Sequence, residues 1–488
     1  MSLSDRSLPD LPLDQALALG RLDAHDQAAL LLRGDVSPFE LTAAAIARAR
    51  HFDPLLGALS HTDFDRALAQ SRALAVPDAS APLRGVPWLP KDSLQVPGMP
   101  TRGGSRSRTA TPASAGHAFL QRCEQAGLVA IGKSAMPEFG LMGLTEPLLG
   151  PVTRNPWSPA HSPGGSSGGA GAALAAGVVP LAHGSDGAGS IRIPASACGV
   201  VGLKPGRGGT VRVRARHPIE DLIVADSLMS RSVRDTAWAF AQAHPARPAM
   251  VTTPLDRPLR IGLVSDTLQG VAPEADVAAA LARTVALCES LGHRVEVAAL
   301  PLPGAQVFDA AMTLWSHLGA DALELAEAAL GEATAHAALE PFTLGLAAWN
   351  RTHCGVAELE RAYAVLAALP DAFHTFHRRY DVLLSPTLRA PPPRIGTLAP
   401  SGDFETVFAA MFDWMGYTPL QNLAGTPAIS LPLEHSADGL PIGLQFAADR
   451  GGEPLLLALA LQLETAAPWR DRWPPVSVAA SDLSKETR

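Results

Sequence analysis

Two bends built almost wholly from glycine and serine stand out in this 488-residue chain: Gly164-Gly165-Ser166-Ser167-Gly168-Gly169 and Ser185-Asp186-Gly187-Ala188-Gly189-Ser190. Ser166 and Ser190 are separated by 24 positions. A serine hydroxyl attacks a carbonyl carbon only when a base takes its proton and nearby donors accept the charge that develops on oxygen. The second bend carries little side-chain bulk, so its backbone is free to curl until several N–H groups face one point, as an oxyanion hole requires. His161 and His183 are close in sequence and would give a Ser-His arrangement. Lysine is the other candidate base. Only four of the 39 basic residues are lysines, Lys91, Lys133, Lys204 and Lys485. Arginine stays protonated, whereas a buried lysine amine loses its proton and becomes a base. Lys485 falls in the tail PPVSVAASDLSKETR and is set aside.

The elements around these bends decide between readings. GGSSGG alone is a flexible linker, yet here it joins the proline-studded TRNPWSPAHSP to the alanine-rich AGAALAAG. Residues 164–168 also satisfy G-x-S-x-G, the α/β-hydrolase elbow with Ser166 or Ser167 as nucleophile. That elbow needs a strand running into it, and Pro156, Pro159 and Pro163 make a poor strand. GLVAIGKS, residues 127–134, matches the phosphate-loop pattern letter for letter. Its middle is Leu, Val, Ala and Ile, which prefer an extended buried strand to a cradle for an anion, so Lys133 reads as a structural residue at a strand end.

Helical spacing of apolar residues runs from Leu13 to Leu32, and Ser37-Pro38-Phe39-Glu40 opens a further helix with a capping box. From residue 83, short apolar runs alternate with Gly/Pro turns and helical stretches: LRGVPWLP, GLVAIGKS, VVPLAHG, CGVVGLK. This alternation predicts an α/β sheet covered by helices. LRIGLVS, residues 274–291 and HRVEVAAL read as a β-α-β unit, helices fill much of 305–378, and strands return at YDVLLSPT, PAISLPL and PIGLQFAA. No repeat or long polar linker divides the chain. The expectation is a single domain over 1–475, with a helical part at 13–80, a core at 83–215, the remainder at 216–475 and a loose tail at 476–488.

Composition narrows the partners. Hydrophobic residues make up 47% and charged residues 18%, enough to bury a large core. A net charge of -8 without a Lys/Arg cluster argues against nucleic acid. The first residues, MSLSDRSLPDLPLDQ, carry neither a basic start with an apolar core nor a membrane-length apolar run, so neither export nor a membrane span is expected. Cys123, Cys198, Cys288 and Cys354 form no C-x-x-C pair and fit a reducing cytoplasm, with no metal framework.

The segment through both bends resembles the amidase signature family, whose motif is a GGSSGG turn followed 24 residues after its first serine by the serine of a D-x-G-G-S-I-R turn. LRGVPWLPKD is similar to the family's G-V-P-x-x-x-K-D and places its lysine at Lys91. GKSAMPEFG, TRNPW, CGVVGLKP, NLAGTPAISLP and GLPIGLQ resemble further family segments in family order, over roughly Ser37 to Pro475. The phrases MPEFG, HGSDGAGSIRIPAS and NLAGTPAISLPL look closest to bacterial amidases of the cyclic nylon-dimer hydrolase type.

The resemblance implies a large α/β domain with a central mixed, twisted sheet covered on both faces by helices. It also implies cofactor-independent hydrolysis of the C–N bond of a small or medium amide by a Ser-Ser-Lys triad. Ser190 would be the nucleophile. Ser166, reached through a cis peptide, would bridge it to a neutral Lys91, and the amides of Gly187, Ala188, Gly189 and Ser190 would hold the oxyanion. Ala188 departs from the family, which often has glycine there, and its Cβ disfavours positive φ. Asp186 and Arg192 are expected to anchor the turn, and Lys204 to stabilise structure. The partner is then a small-molecule amide, with self-association left open. The rival on the same fold is the subunit of a glutamine-dependent tRNA amidotransferase, which carries an R-R-I-x-L-G-T-like run where this chain reads LGLAAWNRTHCGV.

Overall fold

A computed structural model of the protein describes residues 11–75, 77–78, 80–212 and 218–480. The twelve strands among the described residues are β1 (Leu59–Thr62), β2 (Pro87–Leu89), β3 (Val129–Ala130), β4 (Gly132–Ser134), β5 (Leu181–Asp186), β6 (Gly202–Lys204), β7 (Ala225–Ser230), β8 (Arg260–Leu263), β9 (Arg294–Val297), β10 (Val382–Pro386), β11 (Ala428–His435) and β12 (Pro441–Ala447). Four form a sheet in the order β3-β2-β5-β7, and six form a second in the order β6-β11-β12-β10-β8-β9. Val201, at the mouth of β6, bridges to Ser230 at the end of β7 with a 2.8 Å backbone hydrogen bond, so the two sheets run into one another. The pairing is mixed: β2 is parallel to β3 and β5, β8 is parallel to β9 and β10, and β12 lies antiparallel between β10 and β11. This is the α/β sheet that the alternation of runs and turns predicts, with the mixed pairing that the resemblance implies.

Most local readings hold, for physical reasons visible at each element. The helix Pro38–Leu56 starts at a complete capping box, in which Ser37 accepts from the Glu40 N–H and Glu40 accepts from the Ser37 N–H. The expected β-α-β unit is β8, the helix Ala275–Ser290 and β9. Helices Gly304–Leu330, Glu332–Ala338, Pro341–His353 and Val356–Arg379 fill the stretch from 305 to 378. The stretch from Leu13 to Leu32 is two helices, Leu13–Gly20 and Ala24–Arg33, because Asp23 caps the second by accepting from the Asp26 N–H. Among the described residues, no helix is long and apolar enough to cross a membrane.

One finding differs from expectation at the carboxyl end. Residues 476–480 are not loose: Val476 and Val478 are buried, and the Val478 N–H donates to the Ala176 carbonyl at 3.0 Å. Lys485 and the rest of 481–488 lie outside the described residues.

The helix Gly168–Ala176, which leaves the first Gly/Ser bend, is buried along its whole length. A Cβ on Gly169 would stand 2.4 Å from both the Ala135 nitrogen and the Ala58 oxygen, so the helix lies directly on neighbouring backbone. No larger residue fits there. Gly169→Ala is expected to lower unfolding free energy by about 1–3 kcal/mol, the usual cost of overpacking. Gly150→Ala, where nothing lies within 4 Å, should leave the urea midpoint unchanged; equal midpoints for the two variants would contradict this packing.

Candidate active site

Lys91 and Ser185 project from the carboxyl ends of neighbouring parallel strands, since β2 pairs with β5 through Leu89 and Ala182. Ligands of open α/β sheets collect at such ends. The first bend enters from the side. It follows an irregular, strand-free 151–163 segment, as its prolines predict, and contains a cis peptide between Gly165 and Ser166. A Cβ at Gly165 would lie 2.7 Å from three backbone atoms of Leu144, so its glycine serves close approach rather than freedom.

The bend delivers two hydroxyls to the lysine. Lys91 Nζ lies 2.7 Å from Ser166 Oγ and 2.9 Å from Ser167 Oγ, and on its other side 3.0 Å from Ser185 Oγ. Lys91 is wholly buried, and loss of hydration pulls its amine down to about 7 despite the opposing pull of the Asp226 and Asp186 carboxylates. Ser166 and Ser190 line one cavity of 520 Å³, with Ser185 and Gly187 beside them. Ser166 therefore touches the buried Lys91 amine and shares a cavity with Ser190.

Sequence reading missed Ser167 and Ser185 as partners of the amine. Their signal was present: both are hydroxyls within the same two bends, and a buried amine needs hydrogen-bond partners in every direction it faces. Trp315 was also missed. Its Nε1 donates to the Leu141 carbonyl at 3.1 Å, and its ring would meet a Cβ on Gly187 at 3.2 Å, so it walls the second bend from the helix Gly304–Leu330.

The second bend is pinned from below. Asp186 accepts two guanidinium bonds from Arg192, both at 2.9 Å, together with the Gly189 N–H at 2.7 Å and the Ile191 N–H at 3.2 Å. Arg192 also donates to Gln445 and Asn422, and Asn422 returns a bond to the Asp186 carbonyl. Asp186 is held near 2 because Arg192 offsets the penalty of its burial. The expected turn anchor is thus a buried ion pair. Gly189 takes φ 134°, and a Cβ there would stand 2.3 Å from Thr418 Oγ1. Positive φ falls on Gly189 and not on Ala188, whose carbonyl accepts from Thr418 Oγ1 at 2.6 Å. The alanine is accommodated without strain. The Gly189 N–H, anticipated as an oxyanion donor, is engaged by Asp186.

The other candidate bases and lysines lie elsewhere. His183 points to Asp226 at 3.1 Å, and His161 to Ser158 at 2.8 Å; neither lines the cavity. Lys133 pairs with Asp92 at 2.9 Å and donates to the Pro100 carbonyl, and the phosphate-loop look-alike is simply β3 and β4. Lys204 is buried against the Pro205 carbonyl.

The sequence profile of the family described as Amidase matches residues 40–457. The chain belongs to the amidase family. It is 39% identical over 461 residues to the putative amidase AmiC of Mycobacterium tuberculosis, covering 93% of this chain and 96% of that one. It is 34% identical over 495 residues to the 6-aminohexanoate-cyclic-dimer hydrolase of Paenarthrobacter ureafaciens, with the same coverage. A solved structure of 6-aminohexanoate cyclic dimer hydrolase complexed with substrate superposes with a TM-score of 0.82 at 32% identity, covering 94% of this chain and 99% of that one. The protein is an amidohydrolase, with the fold of the amidase signature enzymes.

Asp186→Ala strips Arg192 of its buried counter-charge, a loss worth about 3–5 kcal/mol. Thermal unfolding should shift sharply downward; a midpoint equal to that of the parent protein would show that the ion pair is not what holds this bend.

Proposed function

We propose that this amidase cleaves its substrate through an acyl-enzyme on Ser190, with Lys91 as the base and Ser166 as the proton bridge. The observation that carries the reading is the 2.7 Å contact between a fully buried amine and Ser166, whose hydroxyl shares a cavity with Ser190. An amine whose proton affinity has fallen to about 7 is largely neutral just above that pH and accepts a proton readily. Ser166 passes its proton to Lys91 while taking one from Ser190, and the Ser190 oxygen forms a bond to the amide carbon. The carbonyl electrons move onto oxygen. On collapse, the same relay returns a proton to the nitrogen as the C–N bond breaks and the amine leaves. Water then attacks the ester by the reverse path and releases the acid.

The oxyanion donors are the amides of Gly187, Ala188 and Ser190. Gly189, the fourth donor that the resemblance implies, is the weaker assignment, because its N–H already bonds Asp186. Both serines also sit just before helices, Gly168–Ala176 and Arg192–Cys198, whose positive ends favour an alkoxide over a neutral hydroxyl. The substrate is a small or medium carboxylic amide of a size that a 520 Å³ cavity admits.

Ser190→Ala should abolish turnover of a panel of anilides and aliphatic amides while leaving the circular dichroism spectrum intact; retained turnover would remove the mechanism. Lys91→Arg should be almost as damaging, because a guanidinium keeps its proton at any accessible pH. The active form of Lys91 is the neutral one, so kcat/KM should climb as pH rises through about 7 and fall about tenfold per unit below it. A profile flat from pH 5 to 9 would contradict a lysine base.

A further inference from the structure

Beyond the triad, the catalytic cavity is lined by two guanidiniums, Arg108 and Arg212, one imidazole, His117, and three carboxylates, Glu220, Asp226 and Asp321. Of the ionisable groups around it, Asp226 is taken by His183, and Arg212 reaches the carboxylates of Asp221 and Asp226. Arg108 is different. Among the described residues, no carboxylate stands within ion-pair distance of its guanidinium and no acceptor bonds to it. It is nonetheless held in place. Its Cζ lies 4.7 Å from the centre of the Phe139 ring, and a Cβ on Gly103 would stand 2.8 Å from its Nη1. The guanidinium thus packs on the Phe139 ring and beside the bare backbone of Gly103, and its N–H fork has no acceptor among the described residues.

Phe139 is itself forced into position. It has φ 51°, one of two non-glycine residues with positive φ among the described residues, and its N–H donates to the Gly103 carbonyl at 2.7 Å. Non-glycine residues in that region cluster at functional sites. Its neighbour Gly140 packs against Ser166, where a Cβ would lie 3.1 Å from the hydroxyl, so the wall carrying Arg108 begins at the triad. A second groove of 320 Å³ continues outward from the cavity and shares Arg108, Phe139, Ala322 and Leu325 with it. Arg108 therefore stands where the catalytic space opens into an apolar channel along the helix Gly304–Leu330.

We propose that the amide cleaved here carries a carboxylate remote from the scissile bond, and that Arg108 binds it. This rests on the acyl-enzyme reading above and adds the chemical class of the substrate. An unpaired, pre-oriented guanidinium in a catalytic cavity matches a carboxylate in both charge and shape. Asp321 faces the same cavity from the opposing helix and weakens the pull on an anion. Arg108 then acts as a binding residue, and its effect falls mainly on KM.

The test uses paired 4-nitroanilides: straight-chain acyl groups of four to eight carbons against the same chains ending in a carboxylate, and acetanilides bearing a ring carboxylate against their carboxamide twins. At one or more lengths the carboxylate compound should exceed its neutral twin by about tenfold or more in kcat/KM, the scale of one charge-assisted contact. In Arg108→Gln that ratio should collapse towards one, and in Asp321→Asn it should widen. Neutral twins preferred throughout, or a ratio that survives in Arg108→Gln, would overturn the proposal. Turnover that vanishes in Ser190→Ala but shows no charge preference sinks this inference alone. Turnover of either series that persists in Ser190→Ala sinks the catalytic reading and this one with it.

Discussion

The buried ion pair between Asp186 and Arg192 is the constraint on which the site depends. A carboxylate taken this far from water survives only if every lone pair is answered, and here it is answered by Arg192, Asn422 and the Gly189 and Ile191 amides. Asp186 ends β5, the bend supplies Gly189 and Ile191, Arg192 opens the following helix, Asn422 comes from the helix Pro419–Ala424, and Gln445 of β12 bonds the arginine. Two distant stretches of chain are thereby locked to the bend that presents Ser190.

The second constraint is dryness. Three of the four lysines are described, and all three are buried. At Lys133 and Lys204 the consequence is structural, because Lys133 pairs with Asp92 and donates to the Pro100 carbonyl, and Lys204 donates to the Pro205 carbonyl. At Lys91 the neighbours are three hydroxyls, which accept from an amine or donate to it equally well. A carbonyl only accepts, so the buried Lys204 amine, also drawn down to about 7 by loss of hydration, has in Pro205 no partner that can pass a proton on, whereas the hydroxyls around Lys91 can.

Much of this was legible in the sequence because short-range chemistry dictates it. Ser37 and Glu40 cap the helix they announce, the prolines before residue 164 forbid a strand, and the branched residues of GLVAIGKS make strand rather than phosphate loop. The family segments also acquire a physical meaning: NLAG supplies Asn422 and GLQ supplies Gln445, both to Arg192. What escaped the sequence were contacts across long separations. Nothing local says that Trp315 closes over Gly187, that Phe139 holds Arg108, or that Val478 docks on the Ala-rich helix, since each arises only when the sheet brings remote segments together. The commitment of the Gly189 amide to Asp186, only three residues away, was hidden for a different reason, as it depends on which way one carboxylate turns.

The proposed nucleophile, proton bridge and base come from residues 91–190, whereas Trp315 and the wall formed by Leu318, Ala322 and Leu325 belong to a helix that begins at Gly304. Among the described residues no hydrogen bond joins that helix to Lys91, Ser166 or Ser190, and its indole bonds the Leu141 carbonyl and packs on Gly187. The molecule thereby separates the engine from the mould. Replacement along one solvent-edged surface of a single rod would reshape what is admitted while the proton relay stays as it is, a division of labour that gives such a scaffold latitude to acquire new substrates by few steps.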